Sequence, residues 1–257
     1  MPRRSWPVGW WALLVVACAS ARPPECGDAP QGGGCTRVLF IGNSYTAVND
    51  LPSRFKAIAA SGHRAVYTEM IAPGGLRLAD HAASLPVLEK IRSGHWNYVV
   101  LQEQSQIPSV EQARQGQMFP AARVLVNEIR HAGARPVFYA TWARQGGWPE
   151  NGMPDYASMQ AQITQAYRAI GEELHAPVAP VGDAWAIVAA EHPEIPLWQN
   201  DGSHPTEQGT FLAANVLVAT VFHEVPPGLG APGRVPEVQV KALQQAAARA
   251  ALGAAPR

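Results

Sequence analysis

Five short apolar runs, each followed by a stretch of helical periodicity, constrain this chain more than anything else in it. The runs are 37–41, about 65–71, Tyr98-Val99-Val100-Leu101, Pro136-Val137-Phe138-Tyr139-Ala140 and Val178–Val181. Helical spacing of apolar residues is expected over about 51–61 (Leu51, Phe55, Ile58, Ala59), 79–92, 111–132, 155–174 (Met159, Ile163, Tyr167, Ile170, Leu174), 183–191 and 205–223. A strand followed by a helix must cross over before it can pair again, which makes the next strand parallel. The expected fold is therefore α/β: a five-stranded parallel sheet with helices on both faces, three layers in all. Ligands of such sheets sit at the carboxyl ends of the strands.

Length and charge narrow the function. A chain of 257 residues, 47% hydrophobic and 16% charged, suits one large domain with an ample core. Lys+Arg 20 balance Asp+Glu 20, so no basic face is available for a nucleic-acid backbone. The eight histidines are scattered, no His-Glu-x-x-His occurs, and the three cysteines are not spaced as zinc ligands. No metal or other cofactor is expected.

The first residues read as an export signal. Arg3 and Arg4 precede an apolar stretch, Val8 to Ala17, too short to span a bilayer. Two endings fit. Ala19-Ser20-Ala21 suits cleavage after small residues, giving a secreted protein. Alternatively, Val15-Val16-Ala17-Cys18 resembles a lipoprotein box, with residues 1–18 as the signal and Cys18 acylated as a membrane anchor. The second ending leaves Cys26 and Cys35 as an even pair in a compartment where disulfides persist. Both place the protein in the cell envelope or outside it. Residues 19–36, rich in Pro, Gly and Ala, read as a tether; 37–224 as the core domain; and 225–257 as a linker and an Ala-rich helix at about 236–252, added to the outside.

Two segments carry chemistry. The run Val38-Leu39-Phe40-Ile41 breaks into Gly42-Asn43-Ser44-Tyr45-Thr46, which puts the Ser44 hydroxyl at the carboxyl edge of the sheet and at a helix start. Backbone N–H groups there point at a developing oxyanion. A serine hydroxyl needs a base within hydrogen-bond reach. Far downstream, Asp201-Gly202-Ser203-His204-Pro205 can supply a base, His204, and its orienter, Asp201, from one loop. Each segment also reads as ordinary structure, a polar turn and a helix start respectively. Their order and their placement at opposite ends of the β/α pattern favour a serine hydrolase.

These residues resemble the SGNH (GDSL-like) hydrolases over about 37–223. Gly42-Asn43-Ser44 corresponds to the family's first block, with Asn43 where the family has Asp, and Asp201-Gly202-Ser203-His204 matches the last. The resemblance implies a flavodoxin-like sheet and a Ser44–His204–Asp201 triad. It also implies an oxyanion hole drawn from Ser44, the glycine pair Gly74-Gly75 (through Gly75) and the block after the third strand. That block, usually Gly-x-Asn-Asp, is Gln102-Glu103-Gln104-Ser105 here, so Gln104 stands for the family's Asn, with Gln102 as the competing candidate.

The implied activity is hydrolysis of acyl esters, often acetyl, on carbohydrate or lipid-like substrates. An acyltransferase with the same triad, a non-catalytic glycan-binding lipoprotein and a phosphate binder using 42–46 as an anion loop are the rival readings. Trp142, Trp148 and Trp198 fall in or near loops after the fourth and fifth strands, placed either to stack on substrate or to pack the domain edge. Glu103 and Asp50 are carboxylates near the expected mouth, a position where solvated loop acids are common.

Overall fold

The computed structural model describes residue 26 and residues 34–225 and 235–253. The export signal, Cys18, most of the tether and the Pro226-Pro227-Gly228 linker lie outside the described residues. Along the chain come β1 (Cys35–Ile41), α1 (Ser44–Ala47), α2 (Leu51–Ser61), β2 (Ala65–Ile71), α3 (Leu78–Ala82), α4 (Leu85–Ser93) and β3 (Tyr98–Leu101). Next, α5 (Glu111–Ala113) runs through a π turn (Arg114–Met118) into α6 (Phe119–His131). They are followed by β4 (Arg135–Tyr139), α7 (Tyr156–Glu173), β5 (Val178–Ala179), α8 (Val181–Glu191), α9 (Glu207–Phe222) and α10 (Glu237–Leu252).

All five strands are parallel, in the order β2-β1-β3-β4-β5. This is the flavodoxin-like order, and its switch point lies between β1 and β3. Strand periodicity builds the two faces. Val38 and Phe40 of β1, Val100 of β3 and Val137 and Tyr139 of β4 join α2, α8, α9 and α10 in one core. Their neighbours Leu39, Ile41, Val99, Leu101 and Phe138 turn the other way, into a second core with α3, α4, α6 and α7. Continuous apolar strands are what a sheet covered on both sides requires.

Several elements differ from the sequence expectation, for local reasons. The 79–92 helix is two helices. A continuous one would drive the Pro86 ring into the carbonyl of Ala82, so the chain breaks at Ala83 and Ser84 and restarts with Pro86 in the first turn. Pro120 acts the same way on the 111–132 helix, where the π turn spans Gly116, the residue whose carbonyl the ring would meet. The first strand starts two residues early, because Cys35 and Thr36 pair with Ala65 and Val66. A disulfide joins Cys35 to Cys26 across a Cα–Cα distance of 5.5 Å.

The Ala-rich helix is no external addition. Val240, Leu243, Ala246 and Ala247 of α10 are buried against α8 and α9, and this explains why α9 is apolar all round. No helix among the described residues is long and apolar enough to cross a membrane.

Candidate active site

Ser44 is the first residue of α1, directly after the carboxyl end of β1. Asn43 caps this short helix, its Oδ1 accepting from the Tyr45 amide at 3.2 Å and its carbonyl from the amides of Thr46 and Ala47. Glycine is required just before it. A Cβ at Gly42 would lie 2.4 Å from Gln102 Oε1 and 2.6 Å from Thr46 Oγ1.

The Asp201–His204 segment is a tight loop between α8 and α9. It is closed by the Gln199 amide donating to the His204 carbonyl at 2.8 Å and by the Thr206 amide donating to Leu197 at 3.0 Å. Gly202, with φ +65, makes the turn, and Thr206 caps α9 by accepting from the Gly209 amide.

The fold brings these two segments together. Ser44 Oγ lies 2.9 Å from His204 Nε2, and His204 Nδ1 lies 2.5 Å from Asp201 Oδ2. The other carboxylate oxygen of Asp201 accepts from the amides of Ser203 (2.9 Å) and His204 (3.0 Å). These contacts, the His204 side chain first among them, hold the Asp201 carboxyl down at about 2, so it is ionised at neutral pH. An anionic Oδ2 can only accept, so the neutral imidazole carries its proton on Nδ1 and offers a bare Nε2 to the serine.

Beneath the pair is an aromatic post. Tyr45 stacks on Trp142 at 4.6 Å, and Trp142 stacks on Trp185 at 3.8 Å. The Tyr45 hydroxyl meets Ser203 Oγ at 2.6 Å, and Trp142 Nε1 donates to the Ser203 carbonyl at 2.9 Å. The Ser44 helix and the His204 loop are thereby locked to each other. Trp142 is fully buried in this role. Trp148 and Trp198 are half-buried, and Trp198 donates to the Ala143 carbonyl and packs edge-on against Trp185.

The end of β3 ties the remaining loops in. Gln102 is fully buried: its Oε1 accepts from the Asn43 amide and the Thr46 hydroxyl, both at 2.9 Å, and its Nε2 donates to Asn43 Oδ1 and the Glu103 carbonyl. Both polar atoms of its side chain are thus committed to the turn that carries Ser44. Asn43 in turn donates from Nδ2 to the Leu76 carbonyl at 2.9 Å, beside Gly75. An aspartate at 43 would set an acceptor against that carbonyl, which gives a physical reason for Asn in this sequence. His81, buried and neutral because burial lowers its pKa, donates from Nε2 to the Gly42 carbonyl at 2.7 Å.

Glu103 is buried, unlike the solvated acid that its loop position suggested. One oxygen accepts from the amides of Leu78 (3.1 Å), at the start of α3, and Gln104 (2.6 Å), while Oε2 is buried without a hydrogen-bond partner. Burial pushes its pKa up to about 7 against the lowering effect of those amides and of Arg77. Asp50, by contrast, is a helix cap, accepting from Ser53 at the start of α2.

Gly75 sits at the exposed tip of the β2–α3 turn with φ +75. Among the described residues, no hydrogen bond consumes the amide of Gly75 or that of Ser44. The Gln104 oxygen accepts from the amides of Gln106 (2.8 Å) and Ile107 (3.3 Å), which fixes its orientation. Its NH2 is left with one long contact of 3.5 Å to Gln106 Oε1. Gln104 therefore has donor capacity to spare, whereas Gln102 has none. The roles of Gln102, Asn43, His81 and Tyr45 as braces escaped sequence reasoning. One signal was legible: two polar residues directly follow a wholly apolar central strand, at the edge where a parallel sheet builds its site.

No protein-family model matches this sequence, and no curated protein matches it. Solved structures do. A candidate SGNH hydrolase from Slackia heliotrinireducens is 28% identical, with a TM-score of 0.61 over 73% of this chain and 99% of that one. A DUF4886 family protein from Bacteroides uniformis is 20% identical, with a TM-score of 0.69 over 85% and 95% of the two chains. The acetyl xylan esterase AlAXEase is 12% identical, with a TM-score of 0.56 over 72% and 99%.

The chain has the SGNH (GDSL-like) hydrolase fold. Fold and sequence blocks agree: Gly42-Asn43-Ser44 and Asp201-Gly202-Ser203-His204 meet at the carboxyl edge of this sheet.

Proposed function

We propose that Ser44 is the nucleophile of an exported acyl esterase, with His204 as general base and Asp201 as its orienter. The hydrogen-bond chain from Ser44 through His204 to Asp201 is the observation that carries this reading. In acylation, His204 Nε2 takes the hydroxyl proton while Ser44 Oγ attacks the ester carbonyl, and Asp201 stabilises the imidazolium. The proton then passes to the departing alcohol. Water, activated by the same nitrogen, releases the acid in the second half.

The oxyanion formed in each half is assigned to the amides of Ser44 and Gly75 and the side-chain NH2 of Gln104, three donors with no competing short bond. Short acyl groups on a carbohydrate or lipid-like alcohol are the favoured substrates, a reading supported by the likeness to an acetyl xylan esterase. Export is supported by the Cys26–Cys35 disulfide, which is consistent with an extracellular protein. Anchoring through an acylated Cys18 is part of the same proposal.

The test is a substrate panel: acetylated mono- and oligosaccharides beside 4-nitrophenyl esters of two to twelve carbons. Higher kcat/KM on acetylated sugars and on acyl chains of two to four carbons is expected. A preference for long acyl chains would contradict the short-acyl assignment, and no turnover of any ester would contradict the nucleophile assignment.

A further inference from the structure

The loop after β4 packs against the loop that carries His204. Three hydrogen bonds fasten it to the histidine loop: Trp142 Nε1 to the Ser203 carbonyl (2.9 Å), the Gln145 amide to the Gly202 carbonyl (2.8 Å), and Trp198 Nε1 to the Ala143 carbonyl (3.1 Å). Arg144 lies between two of these fastenings, at Ala143 and Gln145, and is half-buried. The other arginines at this edge of the sheet are paired: Arg54 with Glu207 at 2.7 Å and Arg77 with Asp80 at 2.8 Å. Arg144 has no carboxylate, carbonyl or hydroxyl partner among the described residues, and its Nε is buried with its donor unused.

A guanidinium nitrogen out of water and unpaired is costly, and native structures rarely keep one without a use. The neighbourhood sharpens the point. Burial raises the pKa of the Tyr45 phenol, and the positive charge of Arg144, along with the hydroxyls of Ser203 and Ser105, works against that rise. The charge is therefore felt at the residue next to the nucleophile. Asp201, ionised and half-exposed in the adjoining loop, would repel an anionic substrate unless a cation stood beside it.

We propose that Arg144 is an anion subsite, and that the preferred substrates are esters carrying a carboxylate close to the scissile bond. The proposal rests on the hydrolase reading above and names its substrate class. Nε itself is enclosed, so a carboxylate would meet the terminal Nη1 and Nη2, which are unpaired and not enclosed and whose planar fork can donate two parallel hydrogen bonds. A uronic-acid unit on the alcohol side or a dicarboxylic half-ester on the acyl side would present the same group.

Two matched pairs distinguish those sources: 4-acetoxybenzoate against its methyl ester, and 4-nitrophenyl hemisuccinate against 4-nitrophenyl butyrate, each corrected for its rate with hydroxide. The expected result is a preference of about ten- to hundredfold in kcat/KM for the anionic member of one pair. The preference should shrink with added salt and collapse in Arg144→Gln. A wild-type ratio near one in both pairs, or a ratio unchanged by Arg144→Gln, overturns the proposal. Calorimetric titration with 4-hydroxybenzoate and with succinate reads the subsite without turnover. Binding of one of them that is lost in Arg144→Gln supports it, and binding of neither overturns it. Turnover of the neutral esters reports separately on the hydrolase reading.

Discussion

At the scale of single residues, two glutamines two positions apart have opposite uses. Gln102 is consumed in bracing the turn that carries Ser44, and Gln104 keeps a free donor. Gln104→Ala is expected to lower kcat by about 10²–10³-fold with little change in KM, because an oxyanion forms only in the transition state. Gln104→Glu keeps the acceptor for Gln106 and Ile107 but replaces the donor with a negative charge, and should be at least as severe. Steady-state kinetics decide: near-wild-type kcat in both variants would remove Gln104 from the oxyanion hole. Gln102→Ala would instead strand the buried Asn43 amide and Thr46 hydroxyl, so its effect belongs to stability as well as rate. Sequence spacing placed both residues at the strand end. It could not say which one turns inward, because that depends on Asn43 and Thr46, about 60 positions away.

Elements add a titratable brace. Glu103 joins the end of β3 to the first amide of α3, and so holds the start of α3, just after the Gly74-Gly75 turn, against the strand end. Its folded pKa of about 7 lies above the ordinary 4.5, so between those values the folded state holds the extra proton. Stability from this group is complete below about 4.5 and is lost as pH rises through about 7; the shift corresponds to roughly 3 kcal/mol at most. Glu103→Gln keeps the acceptor for Leu78 and Gln104 and cannot ionise. Thermal melts from pH 5 to 8 should show the wild-type Tm falling more steeply than that of Glu103→Gln; parallel curves would show that Glu103 does not titrate there. The strands were legible from their apolar runs. Where helices split, at Pro86 and Pro120, periodicity ran on through the break because apolar residues continue on both sides. The inward face of α10 was hidden for a similar reason: alanines bury well but do not stand out from solvent-facing alanines in a sequence.

On the scale of the whole molecule, the site is a product of topology. Ser44 and His204 are 160 residues apart and meet only because the first strand lies inside the sheet, between β2 and β3, and the last loop returns over its carboxyl edge. The two motifs were readable from local sequence, and their order suggested the pairing. The 2.9 Å contact depends on the Tyr45–Trp142–Trp185 stack and the Ser203 bridge, whose members are scattered over 158 positions. Central to the account is that folding activates one serine. Treatment of the purified protein with a fluorophosphonate, followed by peptide mapping, measures this directly, since the reagent needs an activated nucleophile. The folded chain should gain a single phosphonyl group on Ser44, while urea-unfolded protein, Ser44→Ala and His204→Ala should gain little or none. Labelling of a different serine, or equal labelling of folded and unfolded chains, would contradict the account.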